Sequence, residues 1–222
     1  MTGPGHGRAR LLPDDALGRA AAVDVLRAGG LVAMPTDTVY GIGVALDAKD
    51  GLARLFAAKG RPLDKAIVLL VTDLEQAASV GVLSPTARAL AERFWPGGLT
   101  LVLAQASDAR LPAVLTAGAA TIGVRLPAHD CPRALARVLG PLPVTSANLS
   151  GQPDALDVAG VMAQLGDRVD LILDGGPARG GMPSTVVDCS GDEPRVLRVG
   201  AISAAEVEAV IGLAGCEPSG RA

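Results

Sequence analysis

Apolar residues along the 222-residue chain fall into short runs separated by turn signals. Asp14 or Asp15 can cap a helix carrying Leu17, Ala21, Val25 and Leu26 at helical spacing, and Gly29-Gly30 ends it. Leu31–Met34 reads as a strand stopped by Pro35, and Asp50–Ala58 as a helix broken at Gly60 and Pro62. Ala66–Val71 is continuously apolar, as expected of a strand buried on both faces. Ser84-Pro85 opens a helix to Phe94 with a cap and a first-position proline. Leu99–Ala104, Thr121–Leu126, Leu142–Thr145, Leu171–Asp174, Ser184–Cys189 and Arg195–Val199 read as strands, with helices at 131–139 and 157–165. Ser203 and Glu206 have capping-box spacing for a last helix to Ile211. Helices and strands alternate early and strands cluster late. This predicts one α/β domain over 14–211 with a twisted sheet of mixed direction, between loose tails at 1–13 and 212–222.

Composition narrows the functional classes. Hydrophobic residues are 49% and charged residues 19%, so the chain is a globular one. The net charge is −3 and the aromatic content 2%, which argue against a broad nucleic-acid face. Cys131, Cys189 and Cys216 form no C-x-x-C pair, so neither a disulfide framework nor a zinc site is expected. With no secretory signal and no membrane-length apolar run, the expected location is the cytoplasm. Walker A and G-x-G-x-x-G are absent, and His6 and His129 are the only histidines, which disfavours a Ser-His-Asp relay.

Five clusters carry chemistry. Pro35–Gly43 places Thr36, Asp37, Thr38 and Tyr40 after a strand, either as a ligand site or as a turn satisfying its own backbone. Lys59-Gly60-Arg61-Pro62-Leu63-Asp64-Lys65 holds three cations. If the segment is extended, Lys59 and Arg61 share a side and can grip a polyphosphate; the alternative is a solvated helix end. Thr145, Ser146, Asn148 and Ser150 follow an apolar strand and suit phosphate oxygens, or else cap a turn. Thr121, Gly123 and Arg125 share one strand face, and an arginine there needs a carboxylate partner, from a ligand or from the chain. Ser184 and Arg198 sit at further strand ends. Cations, hydroxyls and no nucleophile with its own base suit phosphoryl or nucleotidyl transfer by positioning and charge neutralisation with Mg²⁺.

The segments PTDTVYGIG (35–43), KGRPLDK (59–65), WPGGLT (95–100), TIGVRLP (121–127), TSANLSG (145–151), STVVD (184–188) and VLRVGAIS (196–203) resemble, in order and spacing, the YrdC/TsaC family of threonylcarbamoyl-AMP synthases. Its K-x-R and S-x-N markers correspond to Lys59-Gly60-Arg61 and Ser146-Ala147-Asn148. The resemblance implies a YrdC-like sheet, related to the RibB fold, with a large concave cleft, and the short form of the family without a further C-terminal domain. It implies that L-threonine, bicarbonate and ATP, with Mg²⁺, give threonylcarbamoyl-AMP and pyrophosphate. A separate transferase complex would carry the group to tRNA, and weak direct tRNA contact is a further expectation. By the same resemblance Lys59 and Arg61 are catalytic and, with Thr121, Ser146, Asn148 and Arg198, bind ATP, while Thr36, Arg125, Thr145 and Ser184 bind threonine.

Two positions depart from many relatives. Lys65–Leu70 lacks a histidine found there in some, and Asp154 stands where many carry serine, either repelling phosphate or helping to hold Mg²⁺. A non-catalytic RNA-binding module of the same fold, or a paralogue adenylating another carbamate, are the competing readings. The Gly175–Pro183 stretch is a candidate lid from its glycines.

Overall fold

A computed structural model describes residues 8–214. The chain runs β1 (Arg10–Pro13), α1 (Ala16–Arg27), β2 (Val32–Met34), β3 (Gly41–Gly43), α2 (Gly51–Lys59), β4 (Val68–Leu70), α3 (Leu74–Ala78), α4 (Pro85–Phe94) and β5 (Leu99–Ala104). It continues α5 (Ala113–Thr116), β6 (Thr121–Arg125), α6 (Asp130–Leu139), β7 (Leu142–Ser146), α7 (Val158–Leu165), β8 (Leu171–Asp174), β9 (Thr185–Asp188), β10 (Arg195–Arg198) and α8 (Ala204–Ala214). The strands form one ten-stranded sheet in the order β1-β8-β2-β3-β7-β4-β6-β5-β9-β10. Parallel pairs (β1–β8, β2–β8, β4–β6, β5–β9) mix with antiparallel ones, as the late clustering of strands predicts.

Strand alternation divides the core in two. On one face Leu31, Ala33, Ile42, Leu69, Leu101, Val124 and Ile172 pack under α2, α4, α7 and α8. On the other, Val32, Met34, Leu70, Val144, Leu171 and Leu173 pack under α1 and α6, through Ala22, Leu26, Leu135 and Ala136. Helix α1 lies over β8 and β2, and α6 packs beside it over β7 and β4. The same face of β6, β5 and β9 is left without a helical cover, and a concave cleft opens there.

Side-chain caps define the helices as the sequence indicates. Asp15 Oδ1 accepts from Gly18 N at 2.8 Å, Ser84 Oγ from Ala87 N at 3.2 Å, and Ser203 with Glu206 forms the reciprocal box. Several local expectations are corrected. Arg10–Pro13, placed in the N-terminal tail, pair in parallel with β8, because that strand otherwise presents an unpaired edge. Helix α1 buries Gly18, Ala22, Val23 and Leu26, while Leu17 is 82% exposed. The helix lies so close to β1 that a Cβ on Gly18 would collide with the Pro13 carbonyl oxygen, and this turns Leu17 outward. The last helix runs on to Ala214, into the stretch expected to be a tail; the remaining tail positions, and Cys216, lie outside the described residues. Cys131 and Cys189 are free thiols buried in the core, and burial pushes both up in pKa. No helix among the described residues is long and apolar enough to cross a membrane.

Candidate active site

The cleft has a volume of about 390 Å³. Its floor is the uncovered sheet face. Thr121, Gly123 and Arg125 of β6, Thr100 and Val102 of β5 and Val186 of β9 point into it, while Ile122, Val124 and Leu101 point into the core. Cross-strand register sets Val102 beside Gly123 and Thr100 beside Val186, so the polar positions share one surface. The shared face of Thr121, Gly123 and Arg125 was legible from period two alone.

Arg125 is buried, and its partner comes from the chain. Nη2 donates to Asp37 Oδ1 at 2.7 Å, Nη1 to Thr38 Oγ1 at 2.8 Å and Nε to the Gly97 carbonyl at 2.9 Å. Burial lowers the pKa of its guanidinium and the Asp37 charge opposes that shift. The side chain has five N–H donors. Three are committed to these bonds, two remain, and the residue lines the cleft. Thr36 lines the same wall, but its hydroxyl donates to the Val39 carbonyl at 2.7 Å and accepts from Thr38 N at 3.1 Å. For Thr36 the self-satisfying turn and the cleft wall are therefore both present.

The opposite wall holds Ser184 and Arg198. Arg198 donates from Nε and Nη2 to the Ser184 carbonyl at 3.2 and 2.8 Å, and Ser184 Oγ lies 2.8 Å from Thr100 Oγ1. Thr145 and Ser146 enter the cleft from β7, where Ser146 pairs with Gly41.

The third wall separates two residues that the sequence places side by side. Lys59 ends α2, and Gly60 follows at φ 59°, a left-handed conformation natural to glycine. The segment is therefore not extended, and Lys59 and Arg61 diverge. Arg61 lines the cleft and braces the following loop by donating to the Lys65 and Ala66 carbonyls at 3.1 and 2.6 Å. Lys59 is 2% exposed and lies behind the wall. Its Nζ donates to the Ser146 carbonyl, to the Asn148 carbonyl at 2.5 Å and to Asn148 Oδ1 at 3.2 Å. Ser146 Oγ also donates to Asn148 Oδ1 at 2.5 Å, and Asn148 Nδ2 to the Gln152 carbonyl at 2.6 Å. Lys59 thus ties the S-x-N loop together from within. Burial, then the nearby Arg61 charge, brings its ammonium down to about 8, while Asp154 pulls the other way.

Of the ten residues singled out from the sequence, Thr36, Arg61, Thr121, Arg125, Thr145, Ser146, Ser184 and Arg198 line the cleft, whereas Lys59 and Asn148 stand just behind it. Thr38, named in the first cluster but given no role there, also lines the cleft, and sequence reasoning did not single out Thr100. Thr100 had a signal, being a polar residue inside the apolar run Leu99–Leu103. The Gly175–Pro183 segment is docked on the Thr36–Tyr40 turn. Tyr40 Oη donates to the Gly176 carbonyl at 2.7 Å, Gly181 N donates to the Thr38 carbonyl at 3.0 Å, and a Cβ on Gly180 would collide with the Asp37 carbonyl oxygen. Burial pushes the Tyr40 phenol up to about 12.

Fold and site together define a single-domain α/β protein whose open cleft sets three guanidinium groups among strand-end hydroxyls. Residues 24–200 match the Sua5_yciO_yrdC family model, described as "Telomere recombination", and the chain belongs to that family. It is 42% identical over 195 residues to the threonylcarbamoyl-AMP synthase of Bacillus subtilis (strain 168), a match covering 87% of this chain and 56% of that one. A Mycobacterium leprae protein is 41% identical over 203 residues, covering 90% of this chain and 91% of its own length. The crystal structure of Pyrococcus abyssi Sua5 complexed with L-threonine superimposes with a TM-score of 0.85 at 36% identity, covering 92% of this chain and 60% of that one. The chain thus spans little more than half the length of the Bacillus and Pyrococcus relatives.

Proposed function

We propose that the protein is an L-threonylcarbamoyladenylate synthase, a nucleotidyltransferase converting L-threonine, bicarbonate and ATP to threonylcarbamoyl-AMP and pyrophosphate. This would be the first step of tRNA N6-threonylcarbamoyladenosine formation. The observation that carries the reading is the placement of Arg61, Arg125 and Arg198 around one hydroxyl-lined cleft. Its match to relatives of that name and to a threonine-complexed homologue adds support.

Arg125, held by Asp37 and Thr38 with donors to spare, suits the threonine carboxylate as a fork. Thr36, Thr145 and Ser184 frame the amine and hydroxyl beside it. Arg61 takes the polyphosphate, with Thr121, Ser146 and Arg198 as further nucleotide contacts. Lys59 and Asn148 act from behind the wall, keeping the S-x-N loop shaped and adding positive charge under the phosphates. Bicarbonate gives CO₂ and a hydroxide; the neutral threonine amine adds to the CO₂ and loses a proton, giving a carbamate, and the hydroxide leaves as water. A carbamate oxygen then forms a bond to the α-phosphorus as the bond to the pyrophosphate oxygen breaks, in line. The side chains of the cleft act by position and charge, and phosphate or water relays the proton. Mg²⁺ would neutralise charge on the leaving pyrophosphate. The donor set fits such a cation, since the lining includes one carboxylate, that of Asp154, and a hard cation of this kind is held by few carboxylates plus phosphates and water. A separate cytoplasmic transferase complex would consume the product, with at most weak tRNA contact by this chain.

The test is pyrophosphate release from ATP, with the adenylate identified by mass. Release requiring both threonine and bicarbonate is expected. Release indifferent to threonine would point to a paralogue with another acceptor, and tight salt-sensitive tRNA binding without ATP binding would point to an RNA module.

A further inference from the structure

The cleft lining is cationic except at one place. Among the described residues that line it, Asp154 alone carries a carboxylate, against the guanidinium groups of Arg61, Arg125 and Arg198. Asp154 is half-buried on the stretch leaving the S-x-N loop. It enters no hydrogen bond and no ion pair among the described residues. Its two cationic neighbours are occupied elsewhere. Lys59 directs its three donors at Ser146 and Asn148, and Arg61 directs Nε and Nη2 at Lys65 and Ala66. Beyond its field on the Lys59 ammonium, the carboxylate has no structural task that the fold reveals. A free carboxylate beside the cations suited to polyphosphate would weaken phosphate binding if it acted alone. The arrangement becomes favourable when a divalent cation lies between the two sets of oxygens. Mg²⁺ keeps several waters and takes one or two protein carboxylates together with substrate phosphates, which matches a single available aspartate.

We propose that Asp154 is this chain's ligand to a divalent cation that arrives with the polyphosphate of the nucleotide. The inference rests on the nucleotide-binding reading of the cleft, and it makes metal and nucleotide thermodynamically coupled through one side chain. Asp154→Asn preserves shape and leaves no broken internal bond, so the variant keeps the wild-type melting temperature.

The experiment is calorimetric ATP binding without threonine, by wild type and Asp154→Asn, in EDTA and in excess Mg²⁺. In wild type, Mg²⁺ tightens binding. In the variant, metal-free binding is tighter than in wild type, and the Mg²⁺ enhancement falls by roughly tenfold, within the usual range for coupled sites. With Mn²⁺ and ATP, the electron paramagnetic resonance spectrum of bound Mn²⁺ differs between the two proteins. An equal Mg²⁺ enhancement in both, with an unchanged Mn²⁺ spectrum, would overturn the assignment and leave Asp154 a purely repulsive group, while threonine-dependent turnover would stand. Failure of folded wild type to bind ATP under either condition would overturn the nucleotide reading and the cation site with it.

Discussion

Replacing Asp37 by alanine removes the only carboxylate that pairs with Arg125 among the described residues, at 2.7 Å, where the two side chains are 16% and 8% exposed. Stranding one member of a fully buried pair costs ~3–5 kcal/mol. Here Arg125 keeps its bonds to Thr38 Oγ1 and the Gly97 carbonyl, and its cleft side can take up water. The loss is then closer to that of one charge-assisted hydrogen bond, about 2 kcal/mol. For a chain of this size that lowers the melting temperature by roughly 4–8 °C. Asp37→Asn retains an acceptor oxygen and costs about half as much. Urea unfolding with unchanged m-value gives the difference, and a double-mutant cycle with Arg125→Met isolates the pair. A coupling below about 0.5 kcal/mol, the scatter of independent sites, would refute the view that Asp37 holds this guanidinium.

Arg125→Lys keeps the charge but loses the fork, and steady-state kinetics should show a raised KM for threonine with little change in that for ATP, whereas Arg61→Ala should do the reverse. Burial lowers the Lys59 pKa to about 8, so the unfolded chain holds that proton more tightly. Wild-type stability should therefore rise relative to Lys59→Met as pH climbs from about 8 toward the ordinary 10.5, and parallel stability curves for the two proteins would count against this. Gly60→Ala meets no atom within 4 Å but sits at φ +59°, so urea titration should show a loss of about 1–2 kcal/mol from backbone strain alone. Tyr40→Phe deletes the bond to the Gly176 carbonyl, and hydrogen exchange should accelerate through 175–181 with a stability loss of about 1 kcal/mol.

A few elements were readable to the residue, among them α4, opened by Ser84-Pro85 and ending at Phe94, while most others differed by a residue or more at one end. β5 and β8 begin and end where the apolar runs Leu99–Ala104 and Leu171–Asp174 do. β3 was not, because Gly41-Ile42-Gly43 has no alternating pattern and is a strand only through its neighbours β2 and β7. Helices α3 and α5 are too short for periodicity to register. At the site, same-strand relations such as Thr121–Gly123–Arg125 follow from local geometry. The contacts that decide what each group can do join distant segments, as Arg125 with Asp37 and Ser184 with Thr100. The divergence of Lys59 and Arg61 turns on the conformation of Gly60, which the spacing of two cations does not encode.

The order of strands in the sheet has a consequence for biosynthesis. β1 hydrogen-bonds to β8, pairing Arg10 with Leu171, and β5 is flanked by β9, pairing Leu99 with Thr185. The edges and the cleft floor are thus completed by the last third of the chain. A ribosome must deliver that portion before β1, the outer edge of β2 and the outer edge of β5 find their partners, and such non-local pairing slows folding. The walls of the cleft come from Thr36, Arg61, Arg125, Ser146 and Ser184, which are spread along the same path. A truncated nascent chain carries most of these side chains without the pocket, so ligand capture marks a finished molecule.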